Sequence, residues 1–210
     1  MNKPKSDSTL DTEGWKTINW RQVERYVFKL QKRIYAASRC GDIQRVRKLQ
    51  KTLMRSWSNR ALAVRRVTQD NQGKKTAGVD GIKSLSPGAR FNLAKGLFIN
   101  GKSKPTRRIW IPKPGKTEFR PLSIPTIFDR ALQAVVKATL EPEWEARFEP
   151  SSYGFRPGRS CHDAIKHIKN CIVSKSKFVL DADISHIPHP KMLQREITEI
   201  KIKGSIKTNR

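Results

Sequence analysis

The sequence predicts an α+β protein: a basic helical amino-terminal region, then a β-hairpin, further helices and one short apolar strand. Three observations carry that prediction. Apolar residues recur at helical spacing from Val23 to Ile34 and again from Ile43 to Trp57. Arg107 to Pro112 and Glu118 to Ile124 carry alternating, β-branched and aromatic residues on either side of Lys113-Pro-Gly-Lys116, the pattern of a hairpin. Phe178-Val-Leu-Asp-Ala-Asp-Ile184 is a short apolar run with two carboxylates, as in a buried strand that presents acids at its carboxyl end.

With 210 residues the chain can hold one domain with a core, or one domain plus a helical appendage. Its 44 Lys+Arg against 18 Asp+Glu give a formal charge of +26 and a pI near 10.6. Such a field attracts polyanions, chiefly nucleic acid, and no membrane partner is expected. The first fourteen residues contain no apolar signal region, and no run approaches the ~18 apolar residues of a membrane span. The expected location is therefore cytoplasmic, in a bacterial or organellar interior. Cys40, Cys161 and Cys171 are far apart and form no C-x-x-C, so reduced thiols are expected rather than disulfides or a zinc knuckle.

Residues 1–18 read as a disordered amino terminus. Asn19 then caps a helix whose stripe is Val23, Tyr26, Val27, Leu30 and Ile34, with Gln22 placed to complete a capping box. Gly41 stops it and Asp42 caps a second helix through Ile43, Val46, Leu49, Leu53 and Trp57. Ala61, Val64 and Val67 add a third turn or two. Between Trp20 and Arg66 fourteen Lys/Arg face two acids, Glu24 and Asp42, a net of +12. A solvated face would mix its signs, because like charges four apart repel by a few tenths of a kcal/mol, so one sign implies a polyanion that neutralises it. Arg21, Arg25, Lys29, Lys32, Arg33, Arg45, Arg47, Lys48, Lys51 and Arg55 are the nucleic-acid-binding candidates of this face.

Asp70 to Gly81, DNQGKKTAGVDG, reads as a loop turning at Gly73 and Gly78, with Asp80 a turn former rather than a catalytic acid. Pro87 to Ile99 resumes a weak helical period. In the hairpin, Pro114-Gly115 suits the centre of a type II turn. Thr126 caps a helix through Phe128, Leu132, Val135, Val136 and Leu140, and Glu141 with Pro142 reads as the start of a separate short helix through Trp144 and Phe148. SSYGFRPGRS, 151–160, is irregular, and Ser160 or Cys161 opens another helix. Arg107, Arg108, Lys113, Lys116, Arg120, Arg130, Arg156 and Arg159 sit on this Pro/Gly-punctuated backbone, which suits them to phosphates. His186 and His189 flank Pro188 without further clustered ligands and do not suggest a metal site; His162 and His167, five apart, serve packing or the surface.

These residues resemble the amino-terminal half of prokaryotic and organellar group II intron-encoded reverse transcriptases and maturases. The resemblance rests on TAGVDG at 76–81, RRIWIPKPGKTEFRPLSIPTIFDRALQ at 107–133, LEPEWEARFEPSSYGFRPGRSCHDAI at 140–165 and FVLDADIS at 178–185, in the family's order and spacing. It implies an incomplete right-hand polymerase fold: a helical reverse transcriptase amino-terminal region over 19–104, then fingers and the start of the palm over 105–185. It implies that the basic helices contact intron RNA or another structured RNA, and that Lys113 and Arg120 contact the triphosphate of a dNTP. Arg107, Arg108, Arg156 and Arg159 are assigned to an RNA or DNA template or to fixing the fingers. Asp183 corresponds to the first palm aspartate, a catalytic ligand of Mg²⁺; Asp181 precedes it and is not itself a ligand.

The sequence departs from the family after Ser185. No Y-x-D-D and no Asp-Asp pair occurs in the 210 residues, and Pro188 stands near the place of the aromatic that discriminates deoxyribose from ribose. Residues 186–210 therefore read as a divergent tail, such as a frameshift, deletion or early stop would leave. The expectation is a truncated family member that binds RNA and does not polymerise alone. The alternatives are one chain of a split enzyme, completed by a second chain that supplies palm and thumb, or a non-functional remnant.

Overall fold

The computed structural model describes residues 14–99, 103–115, 117–173, 179–184 and 202–207. The chain forms two compact units, Met1–Phe148 and Glu149–Arg210.

In the first unit, α1 (Trp20–Arg39) starts where the Asn19 side chain accepts a hydrogen bond from the Gln22 backbone at 3.1 Å, the Asn19 half of the expected capping box. It ends before Gly41, whose φ of 71° only glycine adopts without strain. Asp42 caps α2 (Ile43–Arg55) by accepting from the Arg45 amide at 2.9 Å. Val23, Val27, Leu30, Ile34 and Ala37 of α1 pack with Val46, Leu49 and Leu53 of α2 and with Leu62 in a first core.

Trp57 does not continue α2. Ser56 is extended (φ −66°, ψ 130°) and caps a separate helix, α3 (Trp57–Arg65), by accepting from Asn59 N. Ala61, Leu62, Ala63 and Val64 are four consecutive buried residues, so α3 is covered on more than one face, and its partly exposed polar residues are Ser58, Arg60 and Arg65. It continues as one π-helical turn, Arg66–Asp70, where the Thr68 hydroxyl donates to Val64 O at 2.7 Å. Asn59 is 1% exposed, and its amide reaches Leu53 O, Val135 O and the Thr139 hydroxyl at 3.2 to 3.4 Å.

A second core joins α3 to α4 (Pro87–Gly96) and α5 (Ile127–Glu145) through Val64, Ala94, Leu97, Ala131 and Val135. Trp15 belongs to it, 4% exposed, with its indole N–H on Gln69 at 3.1 Å. Residues 14–18, which the sequence suggests are disordered, are therefore placed against this core; an indole that can bury its ring and satisfy its N–H has reason to be fixed.

α5 corrects a second expectation. It runs unbroken through Pro142 and no separate helix begins at Glu141. A proline at this position deprives Ala138 O of its helical donor. Gln31 of α1 supplies the replacement, its side-chain amide donating to Ala138 O at 2.8 Å.

The hairpin β1 (Arg107–Pro112) and β2 (Phe119–Ile124) is antiparallel, with Arg107 opposite Ile124 and Pro112 opposite Phe119. Gly115 has φ 69°, as the second central residue of a type II turn requires. Ile124 is the buried residue of the pair, at the base.

The second unit comprises the loop 149–160, α6 (Cys161–Ile172) and strands β3 (Val179–Ile184) and β4 (Ile202–Lys207). Ser160 caps α6 in a complete capping box with Asp163. β3 and β4 are antiparallel, Val179 opposite Lys207 and Ile184 opposite Ile202. The strand expected at 178–184 is present from Val179, and its partner comes from the segment set apart as a tail.

Candidate nucleic-acid interface

α1 and α2 turn their apolar stripes inward, which forces the other faces into water. All ten basic candidates there, Arg21 through Arg55, are exposed. The two acids of the region are engaged: Glu24 pairs with Arg65 at 3.2 Å, and Asp42 is occupied as a helix cap. Among the described residues no acidic side chain pairs with any of the ten. Phe28 is also exposed on this surface, with the Lys32 ammonium 5.8 Å from its ring centroid. The surface is thus a one-signed field carrying an aromatic, able to neutralise phosphates and offer a stacking face.

The hairpin places two further candidates near its turn. Lys113 donates from Nζ to Glu118 Oε2 at 2.6 Å, and the backbones of the same two residues bond at 2.9 Å. That hydrogen bond, with the charge of Lys113, holds the Glu118 carboxyl below its usual range. Arg120, opposite Ile111, is exposed. Arg107 and Arg108 are exposed at the base, opposite Ile124 and Ser123. Lys116 lies outside the described residues.

Three arginines read as phosphate ligands do other work. Arg130 donates to Gly73 O at 2.9 Å and Thr76 O at 2.7 Å, tying the TAGVDG loop to α5. Arg156 is 8% exposed, and its guanidinium donates to Glu149 O at 2.7 Å and Ser152 O at 2.9 Å. Arg159 donates to Pro150 O and lies over the Tyr153 ring at 5.2 Å. A run of carbonyls freed by a Gly/Pro-rich backbone needs donors, and nearby arginines satisfy them. Arg156 is accordingly engaged in holding its own loop. His167, read as packing or surface, receives Tyr153: the hydroxyl and Nδ1 are 2.7 Å apart.

Asp183 lies on β3 opposite Lys203, and Asp181 opposite Ser205. Among the described residues no three His, Cys, Asp or Glu converge as a metal-holding set. These residues alone therefore do not fit a two-magnesium centre, which needs several carboxylates around two ions. Among the described residues, too, no helix is long and apolar enough to cross a membrane.

Comparison with known proteins bears on both halves of this surface. Residues 15–97 match the family described as the N-terminal domain of reverse transcriptase, and residues 111–209 match reverse transcriptase (RNA-dependent DNA polymerase). The second match runs through the segment read as a divergent tail. Among relatives, the chain is 36% identical over 140 residues to Maturase-like protein 1 of Euglena gracilis, covering 65% of this chain and 30% of that protein. It is 35% identical over 130 residues to Protein YkfC of Escherichia coli K12, covering 57% and 34%. With the group II intron-encoded protein LtrA of Lactococcus lactis subsp. cremoris it shares 48% over 66 residues, 31% and 11% of the two chains. The chain belongs to the group II intron-encoded reverse transcriptase and maturase family. It matches about a third, or less, of the length of each of these relatives.

Proposed function

We propose that this chain is the RNA-binding front of a group II intron reverse transcriptase: α1 and α2 hold intron RNA or another structured RNA, and the hairpin presents Lys113 and Arg120 to the triphosphate of an incoming dNTP. The observation that carries the reading is the exposed basic face of α1 and α2, whose two acids are used elsewhere. Arg107 and Arg108 serve the template strand. Asp183 is the candidate first ligand of catalytic Mg²⁺, the metal this class of polymerase uses, and the Y-x-D-D that would bring further carboxylates does not occur in this sequence.

Salt titration of RNA binding tests the basic face. If ~6 to 10 phosphates are contacted, affinity falls by about 10³ to 10⁵ between 50 and 200 mM salt. A flat response removes the face as the binding surface. Primer extension with the chain, template, dNTPs and Mg²⁺ is expected to give no product, because no Asp-Asp pair occurs in this sequence. Extension by the chain alone overturns that. A second reading follows from the same missing carboxylates: a separate polypeptide carrying Y-x-D-D completes the site. Activity on mixing, lost in Asp183→Ala, would support it.

A further inference from the structure

One side chain of the loop 149–160 has no use in the account above. Phe155 sits at φ 57°, and it is the only non-glycine residue with positive φ among the described residues. That region is disfavoured for a bulky residue, whose Cβ crowds the next carbonyl oxygen. The ring is also fully exposed, at 105% of its reference area. Gly154, one position earlier, could take a left-handed conformation without strain and does not. The backbone thus bears a strained residue in order to hold an apolar ring in water.

The flanks enforce it. Arg156 bonds two loop carbonyls on the amino-terminal side, and Arg159 bonds Pro150 O while covering Tyr153. Tyr153 is anchored on His167 of α6, and Ser160 locks the carboxyl-terminal end through its capping box with Asp163. Strain that survives because its surroundings determine it is a mark of function.

We propose that Phe155 is a platform on which an unpaired nucleobase stacks. The inference rests on the nucleic-acid reading above and adds a contact to it. An exposed ring on a fixed backbone loses little freedom on binding, and its face accepts any base. The target is unpaired because bases in a duplex already stack on one another. Charge favours nucleic acid over an apolar protein surface: the chain carries +26, α6 exposes Lys166 and Lys169, and its Asp163 is engaged by Ser160.

The test compares wild type, Phe155→Gly and Phe155→Trp on a short single-stranded RNA, intact or with one abasic position scanned along it, by fluorescence anisotropy at 50 mM salt. Glycine removes the ring and relieves the φ, so Phe155→Gly should unfold by circular dichroism at or above the wild-type temperature. Its affinity should fall about 5- to 150-fold, the range measured for losing one base stack. Phe155→Trp should retain wild-type affinity. An abasic site at the stacked position should erase the difference between wild type and Phe155→Gly. Phe155→Gly binding within twofold of wild type overturns the platform, as does its unfolding below wild type, which would make the ring structural. If wild type itself fails to bind at 50 mM salt, the nucleic-acid reading falls first and the platform with it.

Discussion

Gly78, in the TAGVDG loop, is buried against the start of α5, and an added Cβ would lie 2.8 Å from Thr126 Cα, 2.9 Å from Thr126 N and 3.0 Å from Pro125 O. All three are backbone atoms, so no side chain can swing aside. Gly78→Ala must therefore push the loop off the helix terminus that Thr126 caps through Asp129 N. Overpacking of this kind costs about 1 to 3 kcal/mol, and rigid neighbours put it near the top of that range. The smaller entropy of the unfolded alanine chain returns about 0.4 to 1 kcal/mol, leaving a net loss of about 2 kcal/mol. At about 2 to 4 °C per kcal/mol for a unit of this size, the melting temperature should drop by about 4 to 8 °C. Gly81→Ala is the contrast: its φ is 71° but nothing lies within 4 Å, so its cost is conformational alone, about 1 to 2 kcal/mol before the same entropic return. All five tryptophans (15, 20, 57, 110 and 144) lie in the first unit, so tryptophan fluorescence follows its unfolding without the second. Gly78→Ala melting with wild type, or above Gly81→Ala, would refute the close approach as the reason for glycine.

Gln31→Leu leaves Ala138 O without its donor and should cost about 1 to 3 kcal/mol. Adding Pro142→Ala restores an N–H at the fourth residue along, so the double variant should recover most of that loss in urea denaturation; an additive loss would contradict the substitution of one donor for the other. Glu118 has a folded pKa below its unfolded value, so its contribution to stability is present above about pH 4.5 and is lost as pH falls through the folded value. Glu118→Gln should therefore differ from wild type at pH 7 and converge with it in acid, as read by unfolding at both pH values. The Ser160 hydroxyl and amide hold the Asp163 carboxyl low in the same sense. Ser160→Ala should raise that pKa toward the ordinary value in an NMR titration, and an unchanged titration would mean the capping box does not form.

Many of the helices were legible because their signals are local. Asn19, Asp42, Thr126 and Ser160 each combine a capping side chain with a following apolar period, and each caps the helix expected. The misreadings come from partners distant in sequence. Pro142 reads as a helix start until Gln31, 111 residues away, is seen to supply its missing bond. Trp57 fits the stripe of α2, and only the extended backbone of Ser56 breaks it. Arg130 has the composition of a phosphate ligand, and the carbonyls of Gly73 and Thr76 claim it. β4 was readable in hindsight, since Ile202, Gly204 and Ile206 alternate with Lys203 and Ser205. The left-handed Phe155 left no trace in composition, because Gly154 beside it looks like the natural place for such a turn.

The hairpin is anchored at one end. Its buried residue is Ile124, beside α5, while Lys113 and Arg120 sit at or near the turn. Six residues of strand make an arm about 20 Å long. A rotation of about 10° at Ile124-Pro125 therefore carries the two cations through about 3.5 Å, roughly the length of a hydrogen bond, while the strand pairing stays intact. Leverage of this kind lets a small adjustment at the base make or break contact at the tip.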